Sequence, residues 1–365
     1  MKILLISPFT NASGSAIRFW NIALTLQKRG HQVIYVDRKS PDCNQLFFST
    51  SIKYHTCPSS GIQVIDIFYS LLFNFFILLK NLDAAIVYAL KPAPNNCIPA
   101  IFAKLLGKKV MLDVDDLDYA YLSGWKKHLF RILFDFFSQR FAVVTYHTPN
   151  LKRYLHEKVG IPKSKLYYLA QGVSTNFLDI DLDHLNPIKK SIIYVATLGI
   201  TSDFADLIPK LSILCKNHPD MTMNIVGDGC RKKEFEELIA KQGLENQIHF
   251  AGKIDHDRLP HFIARHQIGI NYMRSLEVNR CRAILKIREY LACGLTVVCN
   301  DVGDVELFKE HIFIETEIEN LFLRLDNLLS SPLEINYAGR KMIEEKYAWK
   351  DIIEEFDTNV IFRCH

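Results

Sequence analysis

Lys286-Ile-Arg-Glu-Tyr-Leu-Ala-Cys-Gly-Leu-Thr-Val-Val-Cys-Asn300 reads as a helix, a glycine stop at Gly294, and a β-branched strand at Thr296–Val298. Lys286 and Glu289 stand three residues apart, so one helix face carries a cation and a carboxylate beside the mouth of a strand. Working outward, the chain repeats this alternation in two successive sets. The first runs through strands at Lys2–Ser7, Gln32–Val36, Ala84–Tyr88, Val110–Asp113 and Ala142–Tyr146, with a helix over Ser15–Arg29 ended by Gly30. The second starts at Ser191. It places strands at Ile192–Val195, Thr222–Val226, Ile248–Ala251, Ile268–Tyr272, Thr296–Cys299 and Ile312–Ile314, with helices near Ala205–Asn217 and Lys232–Gln242. Such alternation predicts parallel sheets with helices on both faces, hence an α/β fold of two Rossmann-like domains with a deep cleft between them. The expected bounds are 1–182 for the first domain, 183–340 for the second, and 341–365 for a closing helix that returns to the first. The polar stretch Asn176–Lys190, with Pro187, reads as the linker.

Composition narrows the class. A chain of 365 residues suits two domains, and 49% apolar with 23% charged residues is ordinary for a folded protein. A net charge of +4 is too mild to call for nucleic acid. The nine cysteines show no metal-like spacing and read as reduced thiols of a cytoplasmic protein. The apolar start Met1-Lys-Ile-Leu-Leu-Ile reads as a buried strand and is too short for a signal peptide.

Several short motifs in order resemble the GT-B glycosyltransferases, most closely glycosyltransferase family 4. They are Ser13-Gly-Ser-Ala16, Lys28-Arg-Gly-His-Gln-Val33, Ala170-Gln-Gly-Val173, Ile225-Val-Gly-Asp-Gly229, His249-Phe-Ala-Gly252, Glu289-Tyr-Leu-Ala-Cys-Gly294 and Asn300-Asp-Val-Gly303. Tyr347-Ala-Trp349 resembles the entry to the family's closing helix. The resemblance implies an enzyme that moves a sugar from a nucleotide-diphosphate sugar, UDP- or GDP-linked, to a glycan or lipid-linked acceptor in envelope polysaccharide or glycolipid synthesis. The donor is then a substrate, no separate cofactor is needed, and helix N-termini with basic side chains handle the diphosphate without a bound metal. A metal site on Asp113 and Asp115 is the minor alternative. The resemblance places donor contacts at Lys286, Glu289, Gly227, Gly229, Gly303, Asp304, Val305 and Thr197. Acceptor or phosphate contacts fall on Ser13, Gly14, Ser15 and Arg18. Set against these are plainer readings: glycine turns, a solvated i,i+3 pair, and a helical arginine facing water.

Three departures from the family pattern stand out. The family often has a glutamate eight residues before the one at Glu289, and here that position is Cys281. The loop Thr197–Asp203 lacks the family's Arg and Lys. Where many members carry a histidine, this chain has Leu112-Asp-Val-Asp-Asp-Leu-Asp118, which makes the carboxylates of Asp115 and then Asp116 the candidate catalytic base toward the acceptor. Their plainer reading is a helix cap or a structural ion pair. The departures leave two other classes open. One is a sugar-nucleotide 2-epimerase of the same fold, which would need no acceptor. The other is a non-catalytic nucleotide-sugar-binding protein, which would bind without turnover. A dinucleotide dehydrogenase is disfavoured because no GxGxxG follows the first strand.

Two segments suggest a membrane surface. Val64–Leu79 is strongly apolar yet shorter than a spanning helix. Tyr121–Phe141 interleaves aromatic and cationic residues, as interfacial helices do. The expected location is cytoplasmic, extending to the inner face of the cytoplasmic membrane. The plainer reading is that both helices pack on the sheet.

Overall fold

The structure, a computed structural model, describes residues 1–8, 14–39 and 52–362. The chain divides into two compact units. The first comprises Met1–Gly172, Cys281–Ala283 and Trp349–His365; the second comprises Val173–Arg280 and Ile284–Ala348.

The first unit holds β1 (Lys2–Ile6), β2 (Gln32–Arg38), β3 (Lys53–Cys57), β4 (Ile86–Leu90), β5 (Lys109–Asp113), β6 (Val143–Tyr146) and β7 (Leu166–Tyr168). They form one sheet in the order β3-β2-β1-β4-β5-β6-β7, with every pairing parallel. The run Ile3–Ile6 is wholly buried because helices cover both sheet faces, which is why it is continuously apolar rather than alternating. The crossovers are α1 (Gly14–Lys28), α2 (Gln63–Lys80), α3 (Pro94–Leu105), α4 (Gly124–Ser138) and α5 (Pro149–Glu157). Pro94 and Pro149 open their helices, where a missing N–H costs nothing.

The second unit repeats the plan with β8 (Ser191–Val195), β9 (Thr222–Val226), β10 (Ile248–Gly252), β11 (Ile268–Asn271), β12 (Thr296–Asn300) and β13 (Phe313–Glu315). Their order is β10-β9-β8-β11-β12-β13, again all parallel. Gly269 sits in β11 against the Tyr290 ring. A Cβ there would lie 2.4 Å from that ring, so only glycine admits the aromatic.

The strand order reverses between β1 and β4 in one sheet and between β8 and β11 in the other. The carboxyl ends of strands at such switch points are where open α/β sheets hold ligands. The second set of strands falls almost residue for residue where the sequence pattern predicts it. Strands β3 and β7 escape that pattern, being short edge strands with little apolar signal (Lys53-Tyr-His-Thr-Cys57 and Leu166-Tyr-Tyr168).

Candidate functional site

In the first unit, the acids after β5 gather around Lys91, which in the sequence reads as the start of a rigid loop, Lys91-Pro-Ala-Pro94, after a strand. Lys91 follows β4 in a left-handed conformation, φ +59°, an uncommon state for a residue with a Cβ. The turn is held by Lys91 N–H donating to Asp113 O (2.8 Å) and by Asn96 Nδ2 donating to Lys91 O (3.1 Å). Its buried ammonium lies 2.6 Å from Asp118 Oδ1 and 3.3 Å from Asp115 Oδ1. Burial disfavours both charges, but the mutual attraction wins: the neighbouring Asp115, Asp118 and Asp116 carboxylates raise the Lys91 ammonium above its ordinary value. For Asp115, burial pushes the carboxyl up. Lys91, His147, a Ser15 hydrogen bond and Arg18 outweigh it and hold the group below the usual range. Asp118 goes the other way. Although its side chain is 37% exposed, the loss of water around its carboxyl, with Asp115 and Asp116 nearby, lifts it to about 6 in spite of Lys91. Asp116 is tethered differently: Tyr121 OH donates to its Oδ2 at 3.1 Å and Arg282 Nε at 3.3 Å.

Ser15 thus meets Asp115 directly, joining two residues that the sequence alone assigns to separate motifs. Gly14 is exposed at the start of α1. Ser13 lies outside the described residues. Arg18, expected either at an acceptor or phosphate contact or facing water, is buried and bonded within the fold. Its Nε and Nη2 donate to the two oxygens of Asp113 (3.0 and 3.1 Å). Its Nη2 and Nη1 also donate to Leu169 O (2.8 Å) and Ala170 O (2.9 Å). Asp113 in turn accepts from Thr145 Oγ1 at 2.6 Å. The Trp349 ring lies 5.7 Å from the guanidinium, so the closing segment seals this pair. A lone helical arginine reads as solvated in sequence because its buried partner is 95 residues away. Asp113 and Asp115 thus face different partners, and among the described residues no group of three or more His, Cys, Asp or Glu is arranged to hold a metal ion.

In the second unit, the loops after β8 and β9 touch backbone to backbone. Gly227 (φ +141°) and Gly229 (φ +155°) make this contact. A Cβ would lie 1.8 Å from Ala196 O at the first and 2.4 Å from Leu198 O at the second. Leu198 N–H donates to Asp228 O (2.9 Å), and Thr197 stands exposed at the loop tip.

Lys286 and Glu289 lie on the helix Leu285–Ala292, each with its own neighbour. The Lys286 ammonium sits 4.8 Å from the Tyr194 ring centroid, in reach of a cation–π contact. Glu289 is buried, with His256 Nε2 3.8 Å from its Oε1. One residue on, Tyr290 OH accepts from Val195 N–H at 2.8 Å, which fixes the helix against the end of β8. The start of this helix is clamped to the loop after β12. Buried Arg288 pairs with Asp304, whose other oxygen accepts from Ile284 N–H at 3.0 Å. The Asp304 carboxylate is therefore a brace that positions Lys286 and Glu289. Gly303 (φ +84°) precedes it, and Val305 begins a single turn after it. Where the loop Thr197–Asp203 lacks basic side chains, Arg274 from the loop after β11 reaches it, 2.7 Å from Asp206 and 3.6 Å from Asp203. Arg231 donates to Ser202 O at 3.0 Å. Cys281, the residue in the missing glutamate's place, belongs to the first unit, where its carbonyl accepts from Thr148 Oγ1 at 2.9 Å.

Comparison with known proteins agrees with this geometry. Residues 12–177 match the profile described as Glycosyltransferase Family 4, and residues 189–331 match Glycosyl transferases group 1. The chain is 21% identical over 378 residues to a subunit of phosphatidylinositol N-acetylglucosaminyltransferase from Arabidopsis thaliana, covering 99% of this chain and 81% of that one. The corresponding Homo sapiens protein is 26% identical over 148 residues, 39% of this chain and 30% of its own length. Among solved structures, the sucrose-phosphate synthase of Thermosynechococcus elongatus superposes with a TM-score of 0.77 at 15% identity, over 100% of this chain and 98% of that one. Anabaena HepE in complex with UDP gives 0.78 at 15% identity, over 99% and 100%. Two parallel-sheet units, strand-end sites at both switch points and these matches together place the chain among the GT-B glycosyltransferases, in the group 1 and family 4 lineage.

Proposed function

We propose that this glycosyltransferase takes a nucleotide-diphosphate sugar, with UDP the first base to test, and transfers the sugar to a hydroxyl of a glycan or lipid-linked acceptor at a membrane surface. The observation that carries the donor half is the clamped helix start at Lys286. It presents an ammonium, a buried Glu289 and the loops at Thr197, Gly227, Gly229 and Gly303 around the carboxyl end of β8. The ammonium and the backbone N–H groups of Asp304 and Val305 suit a diphosphate, and Glu289 suits sugar or ribose hydroxyls. The choice of UDP rests on relatives: HepE was crystallised with UDP and with UDP-glucose. The lipid acceptor is suggested by curated relatives named for phosphatidylinositol.

The acids after β5 supply the acceptor half. In the transfer, the bond from the sugar's anomeric carbon to the diphosphate breaks and a bond to the acceptor oxygen forms. The acceptor proton goes to a carboxylate and the electron pair leaves with the diphosphate. Asp115, held ionised by Lys91, is a weak proton acceptor and orients the acceptor hydroxyl, with Asp116 beside it. Asp118, lifted to about 6, is better matched to take the proton near neutral pH. The test is release of nucleoside diphosphate from UDP-sugars with and without a membrane lipid extract. Acceptor-dependent release is expected. Sugar interconversion without acceptor would replace this reading with the epimerase one, and binding without turnover would remove it.

A further inference from the structure

A cavity of about 130 Å³ lies in the first unit between the helices α2 and α4 and the loop that carries Lys91. Its walls include Ile67 of α2 and Phe130, Leu133 and Phe134 of α4, and Arg38, Lys91 and Asp118 also line it. The lining is mostly apolar, yet it includes the same Lys91–Asp118 pair that stands among the candidate acceptor acids. The helices around it also carry apolar side chains on the surface. Phe68, Leu72 and Phe76 of α2 are more than half exposed. Leu105 of α3 is 79% exposed, and Trp125 and Ile132 of α4 are 70% and 65% exposed. Contacts join α2 to α3: Phe75 meets Phe102 at 5.5 Å, and Asn74 Nδ2 donates to Asn95 O at 2.8 Å. Lys80, Lys104, Lys126, Lys127 and Arg131 of the same helices are exposed as well, with the Lys80 ammonium 4.3 Å from the Phe76 ring, while Asp66 is buried and bonded to Ser59 and Ser60. Exposed apolar side chains on helices that also expose cations complement an anionic bilayer. No helix among the described residues is long and apolar enough to cross one.

From this juxtaposition we propose that the cavity receives the aliphatic chain segment nearest the headgroup of a lipid acceptor, leaving the headgroup at Lys91 and Asp118. The inference rests on the acceptor half of the proposed function. Size sets what fits. An engineered cavity of roughly 150 Å³ holds benzene, so this one takes about six carbon atoms, a short stretch of chain rather than a whole lipid. The rest of the lipid would stay in the bilayer beneath the exposed helix face. The headgroup hydroxyl would then lie beside Asp115 and Asp118, with no need for the full lipid to leave the membrane.

The test uses the full chain and n-octyl glucoside below its micelle concentration, with methyl glucoside as control. Binding is read by thermal stabilisation. Octyl glucoside is expected to bind saturably and methyl glucoside not to bind. Leu133→Trp fills the cavity and is expected to weaken octyl glucoside binding by about tenfold or more, the worth of two buried methylenes. Ile132→Ser, one residue along on the exposed face, should leave it unchanged. An unaltered melting midpoint without ligand shows that Leu133→Trp still folds; if it does not, Phe130→Trp takes its place. Equal binding by wild type and the filled variant, loss only in Ile132→Ser, or no saturable binding would each overturn the cavity assignment. UDP stabilisation is measured in the same samples. Its presence with a failed octyl glucoside result would refute the cavity alone, whereas its absence would refute the donor reading.

Discussion

Replacing Arg18 with Met removes the cation of a buried pair while keeping most of the side-chain volume. The structure predicts a large stability loss and no selective loss of ligand binding. Asp113 would be left buried beside Tyr88 and Thr145 without its cation, and Leu169 O and Ala170 O would lose their donors. Stranding one charge of a buried pair typically costs about 3–5 kcal/mol. For a unit of this size each kcal/mol moves the midpoint by about 2–4 °C, so a fall of about 6–20 °C is expected. The assay is direct, because all three tryptophans, Trp20, Trp125 and Trp349, lie in the first unit. Their fluorescence reports that unit's unfolding and is blind to the second. Arg18→Met with Asp113→Asn should recover part of the loss, since no uncompensated charge remains. A midpoint within 2 °C of wild type, roughly half a kcal/mol, would refute the reasoning and return Arg18 to the exposed ligand contacts.

Three further outcomes follow from the same geometry. Asp118→Asn should lower the transfer rate by about 10²–10⁴-fold and remove a limb that falls as pH drops through about 6; an unchanged pH–rate profile would take Asp118 out of the mechanism. Asp37, buried at the end of β2, is raised to about 7 by burial, against a hydrogen bond from Tyr54. The fold therefore prefers its proton; that preference is fully present below about pH 4 and is lost as pH rises through about 7. Asp37→Asn should stabilise the first unit at pH 8 by up to about 4 kcal/mol and not at pH 4, and a gap between variant and wild type that ignores pH would contradict this. Gly227→Ala puts a Cβ 1.8 Å from Ala196 O, so the loops after β8 and β9 must part. Calorimetry should show a loss of at least about 1–3 kcal/mol in the second unit together with weaker nucleotide binding, and normal binding would mean that the loop contact does not shape the site.

How much of this was legible in the sequence depends on how local each signal is. Buried parallel strands such as Ile3–Ile6 and Thr296–Val298 announce themselves by continuous apolar or β-branched residues between glycine stops, because both faces of such a sheet are covered. Gly227 and Gly229 stood out as well, although the carbonyls that demand them lie some 30 residues earlier in the chain. Partnerships between distant residues left no trace. Arg18 and Asp304 read in the sequence as ligand contacts, and nothing there pairs Arg18 with Asp113, Arg288 with Asp304 or Lys91 with Asp118 until the fold brings them together. Edge strands such as Lys53–Cys57 carry too few apolar side chains to be told from a loop. Lys91 was hidden twice over, as a lysine in a proline-flanked loop and as a non-glycine residue at positive φ.

The central claim is that the donor sits on the second unit at Lys286 and Glu289. It is tested most directly by the thermal midpoint of wild type, Lys286→Ala and Glu289→Ala with UDP, GDP and their sugar conjugates. Stabilisation of wild type by one sugar nucleotide, lost in both variants while their ligand-free midpoints hold, is the predicted result. Stabilisation that survives both substitutions would contradict the account, because the donor would then be bound elsewhere.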